Sequence, residues 1–318
     1  MEKQNNQKPR LSWGEPPHRA LHRASMTGQA PKSGEKRMPK RLPPQQELTR
    51  KKAPSPRKFH PVGCACAILV CAVFCVFALY SALSLSTLHR IHHFQYEIIS
   101  EGEAIDGCEN FLLIGKSASD NNPDWLAILT LNSKQKRYYV HALHPEMYVR
   151  IPDSYIDTLS GAYRSGSSAL LCRAISANFE LKIDGVVLIS ADGRENIADI
   201  CRIKTDKNPP IDLSAQFDYM RTESGAIAAA LQALNPANIS EALAFRSKAA
   251  DGIVTNISDA SLYGWSLYRP LQLHGWTCET GCIPFDGTYD IEQRPDGTEV
   301  LAVDLERNVE ILKQLLTE

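Results

Sequence analysis

The stretch from Val62 to Leu88, VGCACAILVCAVFCVFALYSALSLSTL, contains no charged residue. At ~1.5 Å per helical residue it is long enough for the ~30 Å hydrocarbon layer of a bilayer, so the chain is expected to divide between two aqueous compartments. A secretory signal peptide has a shorter apolar region behind a much shorter basic leader, and residues 61–88 therefore read as a retained signal-anchor helix. Cys64, Cys66, Cys71 and Cys75 are small apolar residues in that setting. Lipidation of the cytoplasm-proximal ones is compatible with the pattern without being implied, whereas a zinc site would need polar surroundings and supporting hydrogen-bond partners.

Charge is distributed unevenly about this span. The first 60 residues hold fifteen Lys and Arg against four acids, a net of +11, so an overall −1 leaves −12 for the remainder. Positive charge stays on the cytoplasmic side and is drawn to anionic lipid, which places the N-terminus inside and everything after about residue 90 outside the cell membrane, in a single pass. Residues 1–60 have no sustained apolar period and too little apolar surface to offset ordering entropy, so a disordered tail is expected. Its basic clusters, Lys36–Arg41 and Arg50–Lys58, lack aromatic or folded accompaniment, and no nucleic-acid partner is expected. Residues 89–107 are predicted to be a juxtamembrane linker. His89, His92 and His93 have no fixed carboxylate or cysteine partner there and read as interfacial residues, not metal ligands.

The outer segment, 108–318, opens with three apolar runs, Phe111–Ile114, Trp125–Leu131 and Tyr138–Leu143, each bounded by Gly, Asn, Pro, Ser or Lys. Runs of this kind predict buried strands. Chemistry belongs to the polar loops Lys116–Pro123 and His144–Met147 at their ends. Further on, the patterning predicts helices over 167–178, 193–201 and 224–234, from 240 toward 253, and over 259–268. It also predicts strands at 185–190 and 216–221, and a terminal amphipathic helix capped by Asp304 with Val309, Ile311, Leu312, Leu315 and Leu316 on one face. The alternation argues an α/β (α+β) fold, a central mixed sheet covered by helices on both faces as an αβα sandwich, preceded by one transmembrane helix. Cys108, Cys172, Cys201, Cys278 and Cys282 would lie where disulfides persist if the compartment is oxidising. Cys278 and Cys282, in CETGC, enclose a Gly-containing turn and are the leading disulfide candidates; Cys172 with Cys201 is a weaker pairing, and an odd thiol remains. A redox dithiol usually has two intervening residues, not three.

An apolar strand ending in Gly, an Asp opening a second apolar strand, a basic hairpin, and a polar motif followed by Tyr148-Val149-x-Ile151-Pro152 together resemble the LytR-CpsA-Psr family. The likeness continues through LSGAYRSG at Leu159–Gly166 and through Ile183–Asp192. Members of that family transfer glycopolymers from a polyprenyl-pyrophosphate carrier to the cell wall. The resemblance implies a polyprenyl-phosphate-linked glycopolymer or cell-wall glycan as partner, an apolar groove for the polyprenyl tail, carboxylates for Mg2+ or Mn2+, and arginines that neutralise phosphate.

Departures from the family pattern are as informative as the matches. The first loop, GKSAS, has Ser117 and Ser119 where the pattern has an acid and an arginine. In NPD, Asp124 is retained and Asn122 replaces an arginine. HPE puts Pro145 in an arginine's place and Glu146 in an acid's, and YMRTE retains Arg221 while Glu223 replaces a second arginine. The resemblance thus leaves Asp124 and Arg221 as catalytic candidates, Asp124 and Glu146 as metal candidates, and Lys116, Arg150 and Arg164 as substrate-binding candidates. Lysine is a point charge without the bidentate fork, so compensation is partial. Two readings remain open: a glycopolymer transferase with an altered, degenerate site, or a non-catalytic lipid- or glycan-binding relative acting in envelope assembly.

Overall fold

The computed structural model describes residues 61–318 apart from 118–121, 154, 205–209, 211, 234–238, 274 and 296; the expected N-terminal tail lies outside the described residues. In chain order the elements are α1 (Pro61–Leu88), β1 (His92–His93), β2 (Cys108–Lys116), β3 (Pro123–Asn132), β4 (Arg137–Leu143), β5 (Tyr148–Arg150), β6 (Ile156–Thr158), α2 (Leu159–Asn178), β7 (Gly185–Ile189), α3 (Ala191–Cys201) and α4 (Leu213–Ala233). There follow α5 (Ile239–Ala244), a π turn (Phe245–Ala249), a 3-10 turn (Ala250–Gly252), β8 (Ile253–Thr255), α6 (Asp259–Leu273), β9 (Thr277–Ile283), β10 (Tyr289–Gln293), β11 (Glu299–Val303) and α7 (Leu305–Thr317).

Seven strands form one mixed sheet in the order β1-β8-β7-β2-β3-β4-β9. The three apolar runs are its centre, β2, β3 and β4, paired antiparallel, while β7 and β9 join parallel to β2 and β4. Period-two alternation divides the side chains between two cores. Leu112, Ile114, Leu126 and Ile128 face α2 and α7. Phe111, Leu113, Trp125 and Leu129 face α4 and α6. Helices thus cover both faces, as the alternation of elements predicts. Asp304 caps α7 by accepting from the Arg307 amide at 3.0 Å, and the helix is sewn to the sheet by Asn132, whose Nδ2 donates to the Leu316 carbonyl at 2.8 Å.

Residues 89–107 connect α1 to the domain and also pack on it: His92 and His93 form β1 beside β8, and Phe94, Ile98 and Ile105 lie against the core. Two expectations are corrected. Residues 216–221 belong to α4, because Leu213, Phe217 and Met220 recur at helical spacing and are buried together; the apparent alternation in FDYMR misleads. CETGC is not a turn but strand β9, with Cys278 opposite Tyr138 and Cys282 opposite Ala142. Four strand residues separate the two Cα atoms by about 13 Å, far beyond the roughly 7 Å limit for a disulfide, and both thiols are free.

Helix α1 is long and apolar enough to cross a membrane over Val70–Leu88. From Val70 to Leu79 it is exposed on every side, and from Tyr80 onward one face is covered by the domain, with Ser84 and Leu88 buried.

Candidate functional site

The sheet topology gathers polar residues at one edge. β2, β7, β4 and β9 run parallel to their neighbours in the pairs β2–β7 and β4–β9, and in both pairs Gly115 lies opposite Ile189 and Leu143 opposite Ile283. β3 begins where β2 and β4 end, with Pro123 opposite Lys116 and Leu126 opposite Leu143. Lys116, Asp124, His144–Glu146 and Ser190 therefore emerge together, at the carboxyl ends of parallel strands, where open sheets place their ligands.

Helix α3 starts at this edge. The Ser190 hydroxyl accepts from the Gly193 amide at 3.1 Å as N-cap, and a Cβ added to Gly252 would lie 2.7 Å from the Gly193 Cα, so only a glycine lets the two backbones approach. This fixes the first turn and with it Arg194. One terminal guanidinium nitrogen of Arg194 donates to the Tyr219 hydroxyl at 3.2 Å and lies 3.8 Å from a Glu223 carboxylate oxygen. Tyr219 and Glu223 are four residues apart on α4 and present a single face to it. The arginine is 11% exposed and the glutamate 3%, so solvent screens this pair little. Nε of Arg194 is buried and has no hydrogen-bond partner among the described residues. The Tyr219 phenol is pushed up to about 12, first by burial and then by the Glu223 charge; Arg194 opposes the rise, and Asp124 adds to it. Asp124 is thereby within electrostatic reach of Tyr219.

Behind this polar cluster lies an apolar cleft of ≈ 180 Å³ between the sheet, α3 and α4. Leu113 and Trp125 form its floor, Ile197 and Ile203 one wall, Ile227 and Leu231 the other, and Arg194 and Glu223 stand at its polar end. Trp125 lies over Gly115: a Cβ there would be 2.0 Å from the indole nitrogen. The glycine one residue before the end of β2 is thus what admits the tryptophan ring.

The predicted site residues distribute unevenly about this cleft. Asp124 precedes Trp125 of the cleft floor, and its charge acts on the Tyr219 phenol. Arg221 points away from Arg194 on α4, half exposed, and pairs with Asp218 at 3.3 Å and Asp286 at 3.2 Å. Lys116 and Arg164 share a separate hollow with Tyr163 and Ser167. Arg150 lies in another groove, between β5 and β10. Glu146 is held by its backbone, its amide donating to His144 Nδ1 at 3.2 Å and its carbonyl accepting from Leu301 at 3.1 Å. Ser119 lies outside the described residues, and the Ser117 amide closes that loop by donating to the Asn122 carbonyl at 3.0 Å. Among the described residues no three His, Cys, Asp or Glu side chains come together as a metal site. Arg194 was not singled out by the sequence pattern, because the arginine positions of the compared motifs lie in other loops; its place in the first turn after Ser190-x-x-Gly193 is the one local sign. Two buried histidines on and just after β4, His141 and His144, are held down to about 4 by burial and are neutral.

Solved structures with this arrangement of sheet and helices exist. Protein gbs0355 from Streptococcus agalactiae superposes with a TM-score of 0.53 at 15% identity, over 66% of this chain and 88% of its own. The transcriptional regulator yvhJ from Bacillus subtilis gives 0.51 at 17%, over 67% and 98%. TagT bound to LIIa-WTA gives 0.51 at 13%, over 66% and 90%. The fold is of the LytR-CpsA-Psr type. No family model matches the sequence, nor does any curated protein sequence, so the LytR-CpsA-Psr likeness is one of architecture.

Proposed function

We propose that the protein is a membrane-anchored component of bacterial cell-envelope assembly, whose outward domain binds polyprenyl-phosphate-linked glycans by their lipid tail and turns them over slowly. The observation behind this reading is the apolar cleft with a single, already compensated arginine at its polar end. Burial of hydrocarbon contributes ~0.8 kcal/mol per methylene, so a prenyl tail in the cleft supplies most of the affinity. A charge-assisted hydrogen bond to phosphate is worth roughly 1.5 to 3 kcal/mol, but the headgroup meets Arg194 only in competition with Glu223. The shared fold with TagT bound to LIIa-WTA supports the same ligand class. In this reading α1 spans the membrane with the basic tail inside. Asp124 and Glu146 are the residues that would hold Mg2+ or Mn2+, which would supply charge neutralisation of phosphate.

The alternative is a working transferase, favoured by the Arg194–Tyr219 hydrogen bond at the polar end of the cleft and by the Asp124 charge acting on the same phenol. The two are separated by assaying full-length protein in nanodiscs with a polyprenyl-pyrophosphate-linked glycan and Mg2+ or Mn2+, beside Asp124→Ala, Arg194→Ala and Arg221→Ala. Retained binding with turnover near background supports the binding role. Robust transfer abolished by Asp124→Ala or Arg221→Ala would replace it with the catalytic one.

A further inference from the structure

The change of environment along α1 fixes where the domain sits. Apolar residues that face outward on all sides run to Leu79, after which Tyr80, Ser84 and Leu88, at helical spacing, turn one face onto the domain. The Tyr80 hydroxyl donates to the Ser266 carbonyl of α6 at 2.7 Å. Arg90, two residues beyond the helix, is clamped by the Asp251 carboxylate and donates to the Arg246 carbonyl at 2.9 Å. The uncharged part of α1 that precedes Tyr80, residues 62–79, measures about 27 Å as a helix, close to the ~30 Å hydrocarbon thickness. If residues 62–79 fill the hydrocarbon layer, Ser266 stands at its surface, and no length of chain remains to lift the domain away.

The elements beside α1 at that level carry the matching surface. Leu243 on α5 is 48% exposed and Tyr268 on α6 is 47% exposed, although both helices neighbour α1. The nearby acids Asp251 and Asp259 are paired with Arg90 and His93, and Lys248 is exposed on the π turn. Asn196 on α3 donates from Nδ2 to the Lys248 carbonyl at 2.9 Å, so the π turn lies against the helix that walls the cleft. We infer that the face formed by α5, the π turn and α6 rests directly on the bilayer surface, Leu243 and Tyr268 lying among the lipid headgroups, with the α3 wall of the cleft beside it.

This rests on α1 being a membrane anchor, and the test separates the two. Full-length protein is reconstituted in phosphatidylethanolamine and phosphatidylglycerol vesicles containing a phospholipid with a diazirine high on its acyl chain, and photolabelled peptides are mapped by mass spectrometry. Labelling is expected on α1, α5 and α6, at several times the level on α7 and β10. In the double variant Tyr80→Phe with Arg90→Ala, labelling of α5 and α6 should fall several-fold while that of α1 is unchanged. Label on α1 alone in the wild-type protein would overturn the seated domain and leave the anchor standing. An unlabelled α1 would overturn both.

Discussion

The carboxylate of Glu223 and the guanidinium of Arg194 lie 3.8 Å apart, almost shut off from solvent, at the polar end of an apolar cleft. Removing one partner of such a pair leaves a buried charge uncompensated. Glu223→Ala is expected to destabilise the protein by about 3–5 kcal/mol, whereas the double change Arg194→Met with Glu223→Leu costs far less. Chemical unfolding of the single and double variants checks this; equal losses in both would show that the pair is not coupled.

Arg221 provides the contrast. Half exposed, it makes two long pairs with aspartates that are 84% exposed, and Arg221→Ala should cost no more than about 1 kcal/mol. Its unfolding midpoint, measured beside that of Arg194→Ala, should stay near wild type.

Acid should unfold the domain through its histidines. His141 and His144 are neutral in the fold, with values lowered to about 4 from 6.5, so the unfolded chain takes up protons first as pH falls. Their stabilisation is fully present above about pH 6.5 and is lost progressively down to pH 4, by roughly 3 kcal/mol each at most. Denaturant midpoints at pH 7.5, 5.5 and 4.5 report this, and the acid slope should flatten in His141→Phe.

Gly115→Ala should be felt at the cleft. The added methyl meets the Trp125 indole, an overpacking that costs about 1–3 kcal/mol and displaces the cleft floor. Lipid binding should weaken by more than stability alone explains, when compared with a surface variant matched for midpoint.

Reductant should change nothing. Cys278 and Cys282 are four strand residues apart and free, and burial pushes the Cys282 thiol up to about 11, so it is a poor nucleophile. A shift in the thermal midpoint on adding dithiothreitol would contradict this.

Much of the fold was legible because β2, β3 and β4 are short, strongly apolar and bounded by turn residues, and because α7 has both a cap and a clean apolar stripe. β10 was not, since its residues are mostly exposed and polar, and β9 hid behind a glycine and two cysteines that resemble a turn. Its Gly281 is instead needed against the ring of His141, which a Cβ would approach to 2.9 Å. Around the cleft, the start of β3 was legible from the NPD motif, which places Trp125 in its apolar run. Arg194 was not, because its meeting with Tyr219 and Glu223 depends on how two successive helices, α3 and α4, pack on each other, and no local spacing encodes that.

Residues 89–107 entered the sheet and core instead of hanging as a tether. Nineteen residues of free chain could extend about 60 Å and would let a domain sweep a wide hemisphere in search of its acceptor. Paired to the sheet at His92–His93 and packed on the core beyond it, they leave the domain nothing to sweep with, and the distance of Arg194 from the end of α1 is set by architecture.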